Sequence, residues 1–555
     1  MNMNKRSSIY ILTAALTFTS LSACQKDFLE RPPLDQVSEV TFWKTEKDVY
    51  ETVMGVYAKL PGDNMVYDDG STDNAHVQNA WEGPASSTSA GTISSTEDAG
   101  WYYIDIRRAN YFLENANKVK VIAPDLLTRY EAEVRFLRAF SYFRLMSLFG
   151  DVPLITKTLA IGEENVPRTP KKDVLAFVLQ ELDAVAKILP AAYAGGKPNE
   201  KGRITKGAAL ALKMRAHLYE GDWKPAADAA AEVMTMGYDL FSTTAEEPGD
   251  AKDDYSKWVD FTDATDQEKF RKGLRSYERL FRQVNEGNKE VILNREQIMQ
   301  KDENSFNTYL PPATLGGWSS VTPTQSMVDS YANYKTGEAI VPVDPAQRAT
   351  WYASDKVAFA NEYKNRDPRF YASILFDGAP WNAMSKTAFT FTWKQGNNMS
   401  KTGYNFRKLV DPIAYEGQIG NHANVILIRY AEVLLSYAEA KNELSGPDAT
   451  VYEVLDKIRT RAGMPVIDRS KYASQAALRT VIRNERRVEL ALEGQRYMDI
   501  RRWKIAADVM KSIKNVANQQ VQERVWTDKL YLMPVPQSQI DLSKGVLTQT
   551  PGYSK

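Results

Sequence analysis

The sequence predicts a mainly α-helical protein whose helices pair into hairpins, with a large lobe of irregular loops and short strands inserted between an N-terminal and a C-terminal helical part. Three observations carry that prediction. Helix-period apolar patterns fill much of the chain before residue 237 and after residue 421. Gly, Pro, Asn and aromatic residues crowd the interval 238–420, where long periodic segments are few. Small residues and a Gly-Asp turn mark a place where two helices fold back on each other.

At the N-terminus, Lys5 and Arg6 precede an apolar stretch from Ile9 to Leu21 that is too short and too Thr-rich to span a bilayer. Residues 1–23 therefore read as an export signal. Leu21-Ser22-Ala23-Cys24 closes it with the pattern of a lipobox, which makes Cys24 the acylated first residue of the mature chain. Cys24 is the only cysteine, so a disulfide framework, a Cys-based metal site and a cysteine nucleophile are excluded. Residues 24–40, with Pro32 and Pro33, read as an extended tether.

Residues 41–237 form the first helical part. A helix is expected over Glu46–Leu60, followed by a Gly-, Asp-, Asn-, Ser- and Thr-rich stretch from Pro61 to Gly100. That stretch is long for a plain connection, and we read it as a ligand-side loop. Trp101 and Tyr103 lead into a helix over Arg107–Val119 and are expected to pack beneath it. The helix over Thr128–Phe149 carries Phe136, Ala139, Phe140 and Phe143 on one face and Val134, Leu137 and Leu148 on others, which implies burial on more than one side. Helical patterns continue over Asp173–Leu189 and Ile204–Gly237, the latter broken at Gly221-Asp222-Trp223 into two antiparallel helices. The run from Ala216 to Ala226 matches a tetratricopeptide helical hairpin. Leu435–Ala440, with the helix ending near Arg461, resembles a second, and the irregular spacing describes divergent hairpins rather than a regular solenoid.

The lobe 238–420 contains strand-like runs at Val291–Leu293 and Ala388–Trp393. In the C-terminal part, 421–555, helices are expected over Val425–Leu444, Val451–Arg461, Gln475–Leu492 and Ile505–Ile513, in one layer with the N-terminal helices.

Composition narrows the function. With 555 residues the chain exceeds the ~250 to 300 at which single cores stop growing, so size does not limit burial. Its 70 basic and 70 acidic residues leave no net charge to neutralise a phosphate backbone, and nucleic acid is not an expected partner. Glu485, Glu489 and Glu493 stand four residues apart, and paired carboxylates are the equipment of glycoside hydrolysis. Yet Arg483, Arg486, Arg487, Arg496, Arg501 and Arg502 lie among them and would hold them ionised, so this is read as a structural ion-pair network. Arg366, Asp367 and Arg369 receive the same reading, with Pro368 fixing a turn. His76, His217 and His422 are the only histidines and show no metal-ligand spacing, and no twelve-residue calcium loop follows Asp68, Asp69 and Asp73. No metal or cofactor is assigned.

Sugar rings present apolar C–H faces rimmed by hydroxyls, so a glycan site needs exposed aromatic platforms beside polar groups. Trp81, near Asp73 and Asn74, meets that requirement, as do Trp318 after Gly316-Gly317 and Trp381 before Asn382. Trp223, Trp503 and Trp526 stand in contexts that read as core.

Several stretches, in order, resemble the SusD/RagB family along nearly the whole mature chain: Cys24–Glu30, Arg135–Phe140 leading to Phe149–Leu154, Gly207–Leu212, Pro323-Thr324-Gln325, Arg366–Arg369, Arg429–Leu435, Glu485–Leu490, Arg501-Arg502-Trp503, Tyr531–Pro536 and Thr550–Tyr553. The resemblance implies a tetratricopeptide-like scaffold docking on a SusC-like TonB-dependent transporter. It also implies exposure on the extracellular face of a Gram-negative outer membrane, a glycan or its breakdown products as ligand, and no catalysis. A surface glycoside hydrolase and a tetratricopeptide scaffold for protein tails are the alternatives. The first needs two carboxylates free of arginine; the second does not need so large an insertion.

Because Cys24 is the one residue able to carry the anchor, Cys24→Ser is expected to yield folded protein in the soluble fraction. Retention of that variant on membranes after a high-salt wash would overturn the assignment.

Overall fold

The structure, a computed structural model, describes residues 42–193, 200–247, 249–385, 388–416 and 420–554. The export signal, Cys24 and the tether lie outside these residues.

The principal helices are α1 (Glu46–Tyr57), α2 (Ile104–Asn115), α3 (Pro124–Phe149), α4 (Lys171–Ala186), α5 (Lys206–Glu220), α6 (Trp223–Met234), α7 (Ala264–Arg279), α8 (Tyr430–Ser445), α9 (Ala449–Arg461), α10 (Gln475–Glu489) and α11 (Arg496–Arg502). Local chemistry sets their ends. In α1 the Thr45 hydroxyl accepts from the Asp48 amide at 3.3 Å while the Asp48 carboxylate accepts from the Thr45 amide at 2.7 Å, a reciprocal cap. Thr205, Asp448 and Ser474 cap α5, α9 and α10 in the same position. Pro124 opens α3, and Gly221 in the left-handed region (φ 78°) ends α5.

Helix α3 packs on α2 and α4, α4 on α5, α5 on α6, α6 on α8, and α8 on α9 and α10. The N- and C-terminal helices thus share one layer, joined where α6 meets α8. Both helices of this pair are rich in buried alanine, Ala208, Ala209, Ala211 and Ala216 on α5 and Ala226, Ala229 and Ala230 on α6, which suits close approach to their neighbours. No described helix is long and apolar enough to cross a membrane.

Short antiparallel strand pairs attach the irregular segments. β1 (Ala75–Val77) pairs with β3 (Val321–Pro323), and β2 (Val291–Arg295) with β4 (Val425–Arg429). Here the structure departs from the expected helix over Val425–Leu444. Val425-Ile426-Leu427-Ile428 is buried throughout, and its branched side chains suit a strand enclosed on both faces, so the helix begins only at Tyr430. The expected helix over Ile505–Ile513 shrinks to Ala506–Val509, because Lys504 turns the chain at φ 57° and Ile513–Lys514 pairs with Gln520–Gln522. Within Ala388–Trp393 there is no strand, only an isolated bridge from Thr390 to Pro380. The 238–420 interval also holds the sixteen-residue α7, whose Phe270, Leu274 and Tyr277 enter the common core.

A cage of charge closes around α10. Glu489 is fully buried, 2.8 Å from Arg369 Nη1 and 2.7 Å from Arg429 Nη1, and also pairs with Arg461. Glu485 lies 2.6 Å from Arg369, and Glu493 binds Arg429 at 2.7 Å and Lys408 at 2.6 Å. Glu290 accepts from Arg429 and Arg461. Burial alone would raise the Glu489 carboxyl, but Arg461, Arg429 and Arg369 outweigh it and hold it well below the carboxylate range. The three glutamates are ion-paired as expected, but not by the arginines interleaved with them. Their partners Arg369, Lys408, Arg429, Arg459 and Arg461 come from distant segments. Arg487 and Arg496 serve Asp73 instead, and Arg486 and Arg502 serve Asp499. Arg369 also pairs with Asp367 at 2.7 Å. Arg366 differs: its guanidinium serves the carbonyls of Tyr331, Glu362 and Val328 rather than a carboxylate.

Removing one member of a buried cage leaves the others uncompensated. Glu489→Gln is expected to cost about 3 to 5 kcal/mol in chemical denaturation. A loss below 1 kcal/mol would mean the cage does not hold the fold.

Candidate ligand-binding site

The β1–β3 ladder brings together two segments about 240 positions apart. Beyond the paired strands the Gln78 amide donates to Ser320 O at 2.9 Å, and Gln78 Nε2 reaches Trp318 O at 3.5 Å. The ladder is antiparallel, so Trp81, three residues past Gln78, and Trp318, two residues before Ser320, emerge at the same end. Trp81 is 75% exposed in the short turn Ala80–Glu82, and Trp318 is 42% exposed.

The backbone under Trp318 is built for a tight approach. A Cβ on Gly317 would stand 2.1 Å from Pro311 O, so only glycine fits. Ser319 is held at φ 50°, its hydroxyl donating to Asn398 O at 2.9 Å and accepting from Asn405 at 3.0 Å. Trp318 N donates to Thr308 O at 2.8 Å. The Trp318 ring lies 6.4 Å from Tyr309, which meets Tyr67 edge-on at 5.4 Å. Burial, and then the charge of Glu82, push the Tyr67 phenol up, so it stays a neutral hydroxyl. Lys401 Nζ donates to Gln78 O at 2.8 Å, while Gln78 Oε1 and Glu82 Oε1 are screened from solvent without a partner. The result is an aromatic row, Tyr67–Tyr309–Trp318, with Trp81 beside it and amide, carboxylate and ammonium groups at its edge.

Other expected site residues are interior. Trp381 is fully buried under the Arg407 guanidinium, 5.1 Å from its ring. Its polar, Gly- and Pro-rich surroundings do not mark a surface, because irregular segments cover one another and satisfy their polar groups internally. Asn382 shows how: it donates from Nδ2 to Asp253 Oδ1 at 2.6 Å and Lys252 O at 3.0 Å, and accepts from the Phe389 amide at 2.8 Å. Asp73 is buried against Arg496 and Arg487, each at 2.9 Å. Asn74 is buried too, accepting from Arg487 Nε at 2.7 Å and donating to Asp69 at 3.3 Å. Residues 69–78 form an interior wall, and the turn that follows at 79–84 faces outward, as do Asn64, Thr92, Thr96 and Asp98 elsewhere in the 61–100 stretch. Trp101 is buried, and its ring meets Phe149 at the end of α3 edge-on at 4.8 Å. Trp503 is buried with its indole N–H on Glu439 at 2.6 Å, whereas Trp223 and Trp526 are only partly buried.

Sequence reading missed Tyr67 and Tyr309. Nothing local distinguishes them from the other tyrosines, and their stacking depends on pairing across the ladder.

A helical-hairpin scaffold that presents an aromatic row flanked by polar groups has the make-up of a binding protein. The SusD family model matches residues 278–553, and a second model, described as starch-binding associating with outer membrane, matches 27–218. The chain belongs to the SusD family, a non-catalytic family of carbohydrate-binding proteins associated with the outer membrane. It is similar to SusD-like protein P25 of Formosa agariphila, with 24% identity over 94% of both chains. Among solved structures, it is similar to a SusD-like protein of Bacteroides fragilis (28% identity, 94% of this chain and 100% of that one, TM-score 0.78). It is also similar to a SusD-like carbohydrate-binding protein of the same species (26% identity, 91% and 99%, TM-score 0.72). A laminarin-binding SusD-like protein shares the fold at 23% identity, 92% and 100% coverage and TM-score 0.64.

The Asp73 pair clamps the wall behind the site to α10 and α11. Burial would raise the Asp73 carboxyl, but Arg487 and Arg496 bring it from 3.8 down to about 2. A depressed carboxylate stabilises the fold above its unfolded value and loses that contribution as pH falls through the folded one. The contribution is about 2 kcal/mol, fading between about pH 4 and pH 2. Asp73→Asn is therefore expected to melt lower at pH 7, with the gap to the parent narrowing across that window. A gap independent of pH would refute the ionic account.

Proposed function

We propose that the chain is a lipid-anchored protein of the extracellular face of the outer membrane. It captures a glycan or glycan breakdown products and delivers them to a SusC-like TonB-dependent transporter. Cys24 supplies the anchor, and two acyl chains suffice for stable attachment. The helical parts 41–237 and 421–555 form the scaffold that faces the transporter, and the lobe 238–420 contributes the ligand side with the turn at 79–84. The observation that carries the reading is the convergence of the exposed Trp81 and Trp318 at one end of the β1–β3 ladder. Indole faces stack on sugar rings at little entropic cost, and the exposed Lys401 offers a partner to the hydroxyl rim. Hydrolysis is disfavoured by the same physics that orders the core: Glu485, Glu489 and Glu493 are at most 7% exposed and enclosed by cations.

Trp81→Ala and Trp318→Ala are expected to weaken binding of a glycan identified by array screening by about 1 to 3 kcal/mol each in calorimetry, with little change in melting temperature. Trp381→Ala and Trp503→Ala are expected instead to lower stability by about 3 to 5 kcal/mol. Unchanged affinity in both surface variants would remove this face from the binding role.

A further inference from the structure

A cavity of 930 Å³, within the usual size of ligand pockets, opens between the end of α3, the end of α5, helix α11 and the C-terminal segment 528–551. It shares no residue with the aromatic row. Six of its lining side chains are basic and three acidic. Lys171 pairs with Glu220 at 2.6 Å, and Arg502 turns away to Glu439 and Asp499. That leaves Arg168, Arg501, Lys504 and Lys529 against Asp151 and Asp528. None of these four cations has a carboxylate within ion-pair distance among the described residues.

Their contacts are to dipoles and rings. Arg168 donates to Phe149 O and Asp151 O, both at 2.7 Å, and to Thr548 O at 3.1 Å. Arg501 donates to Ser147 O at 3.0 Å and to Tyr531 O at 2.9 Å. These two arginines meet the carbonyl end of α3, but a helix terminus supplies only about half a negative charge. Lys504 Nζ sits 3.9 Å over the Tyr531 ring and Lys529 Nζ 5.0 Å over Tyr553. Burial, then Arg501 and Lys171, push the Lys504 ammonium down. An excess of positive charge gathered around an open cavity is the complement of an anion.

We propose that this cavity is a second ligand site, which takes a short oligosaccharide bearing carboxylate or sulfate groups. The sugar class rests on the carbohydrate-binding reading above; the anionic character rests on the cavity alone. Lys504 and Lys529 engage the oxyanions from the rim, and Tyr531 offers an adjoining apolar face.

The test uses trigalacturonate and a sulfated galactotriose, with neutral galactotriose as reference, on the soluble chain and on Lys504→Gln/Lys529→Gln. Both lysines lie at the rim and pair with no carboxylate, so the double variant should keep its melting temperature. At least one charged probe is expected to bind more tightly than the neutral one, and to lose about tenfold or more in affinity in the double variant. Which charged probe binds identifies carboxylate or sulfate as the group recognised. Trp81→Ala should leave that binding intact. Equal affinity for charged and neutral probes, or undiminished binding by the double variant, overturns the proposal. Loss of charged-probe binding in Trp81→Ala also overturns it, by placing the ligand on the aromatic row. Failure of the aromatic-row reading would show separately, as array-identified glycan binding that Trp81→Ala and Trp318→Ala leave unchanged.

Discussion

The cage around Glu489 is the constraint on which the remaining architecture depends. Residues 238–420 are poor in regular structure and cannot order themselves through long helices or wide sheets. Their Arg369, Lys408 and Glu290 converge instead on α10, together with Arg429 from β4 and Arg461 from the end of α9. Buried ion pairs contribute little net stability against well-packed apolar residues, but they penalise any arrangement that leaves a charge unpaired. In this chain they specify how a loop-rich segment seats on a helical layer. The β2–β4 pairing at the base of the lobe adds register to that seating, since slipping by one residue would reverse every side chain of a strand buried on both faces.

A second, smaller clamp extends the same logic to the ligand face. Asp73 between Arg487 and Arg496 holds the 69–78 wall to the far end of α10 and to α11. Asn74 O then accepts from Thr324 N at 2.9 Å, which sets β1 against β3 and carries Trp81 to the side of Trp318. Buried charge thus sets the position of the Trp81 turn, while Trp81 itself stays exposed. That division lets loop aromatics vary without loss of the scaffold.

The cationic cavity lies on the other side of this division. Its walls come from α3, α5, α11 and the C-terminal segment, and its lining carries an excess of positive charge. Within a chain of zero formal charge, two surfaces of different character emerge: an aromatic row and a cavity with an excess of basic side chains.

Much of the helical scaffold was legible because it is written in contiguous patterns. The alanine-rich hairpin around Gly221 acts within a few residues of sequence, whereas the arginines interleaved with Glu485, Glu489 and Glu493 pair elsewhere, Arg487 and Arg496 with Asp73 and Arg502 with Glu439. The strand at Val425–Ile428 escaped, since a short apolar run buried on both faces has no period to separate it from a helix. The ligand residues divide on the same principle. Trp81 and Trp318 are exposed and Trp381 is not, although all three sit among Gly, Pro and Asn. Asp73, Asn74 and Asn382 resemble surface residues until Arg496, Arg487 and Asp253 arrive from distant positions. The sequence by itself determined most of the principal helices, because their period and turns are local. Only the tertiary structure decided which rings face outward, because exposure is set by what packs against a residue from elsewhere in the chain.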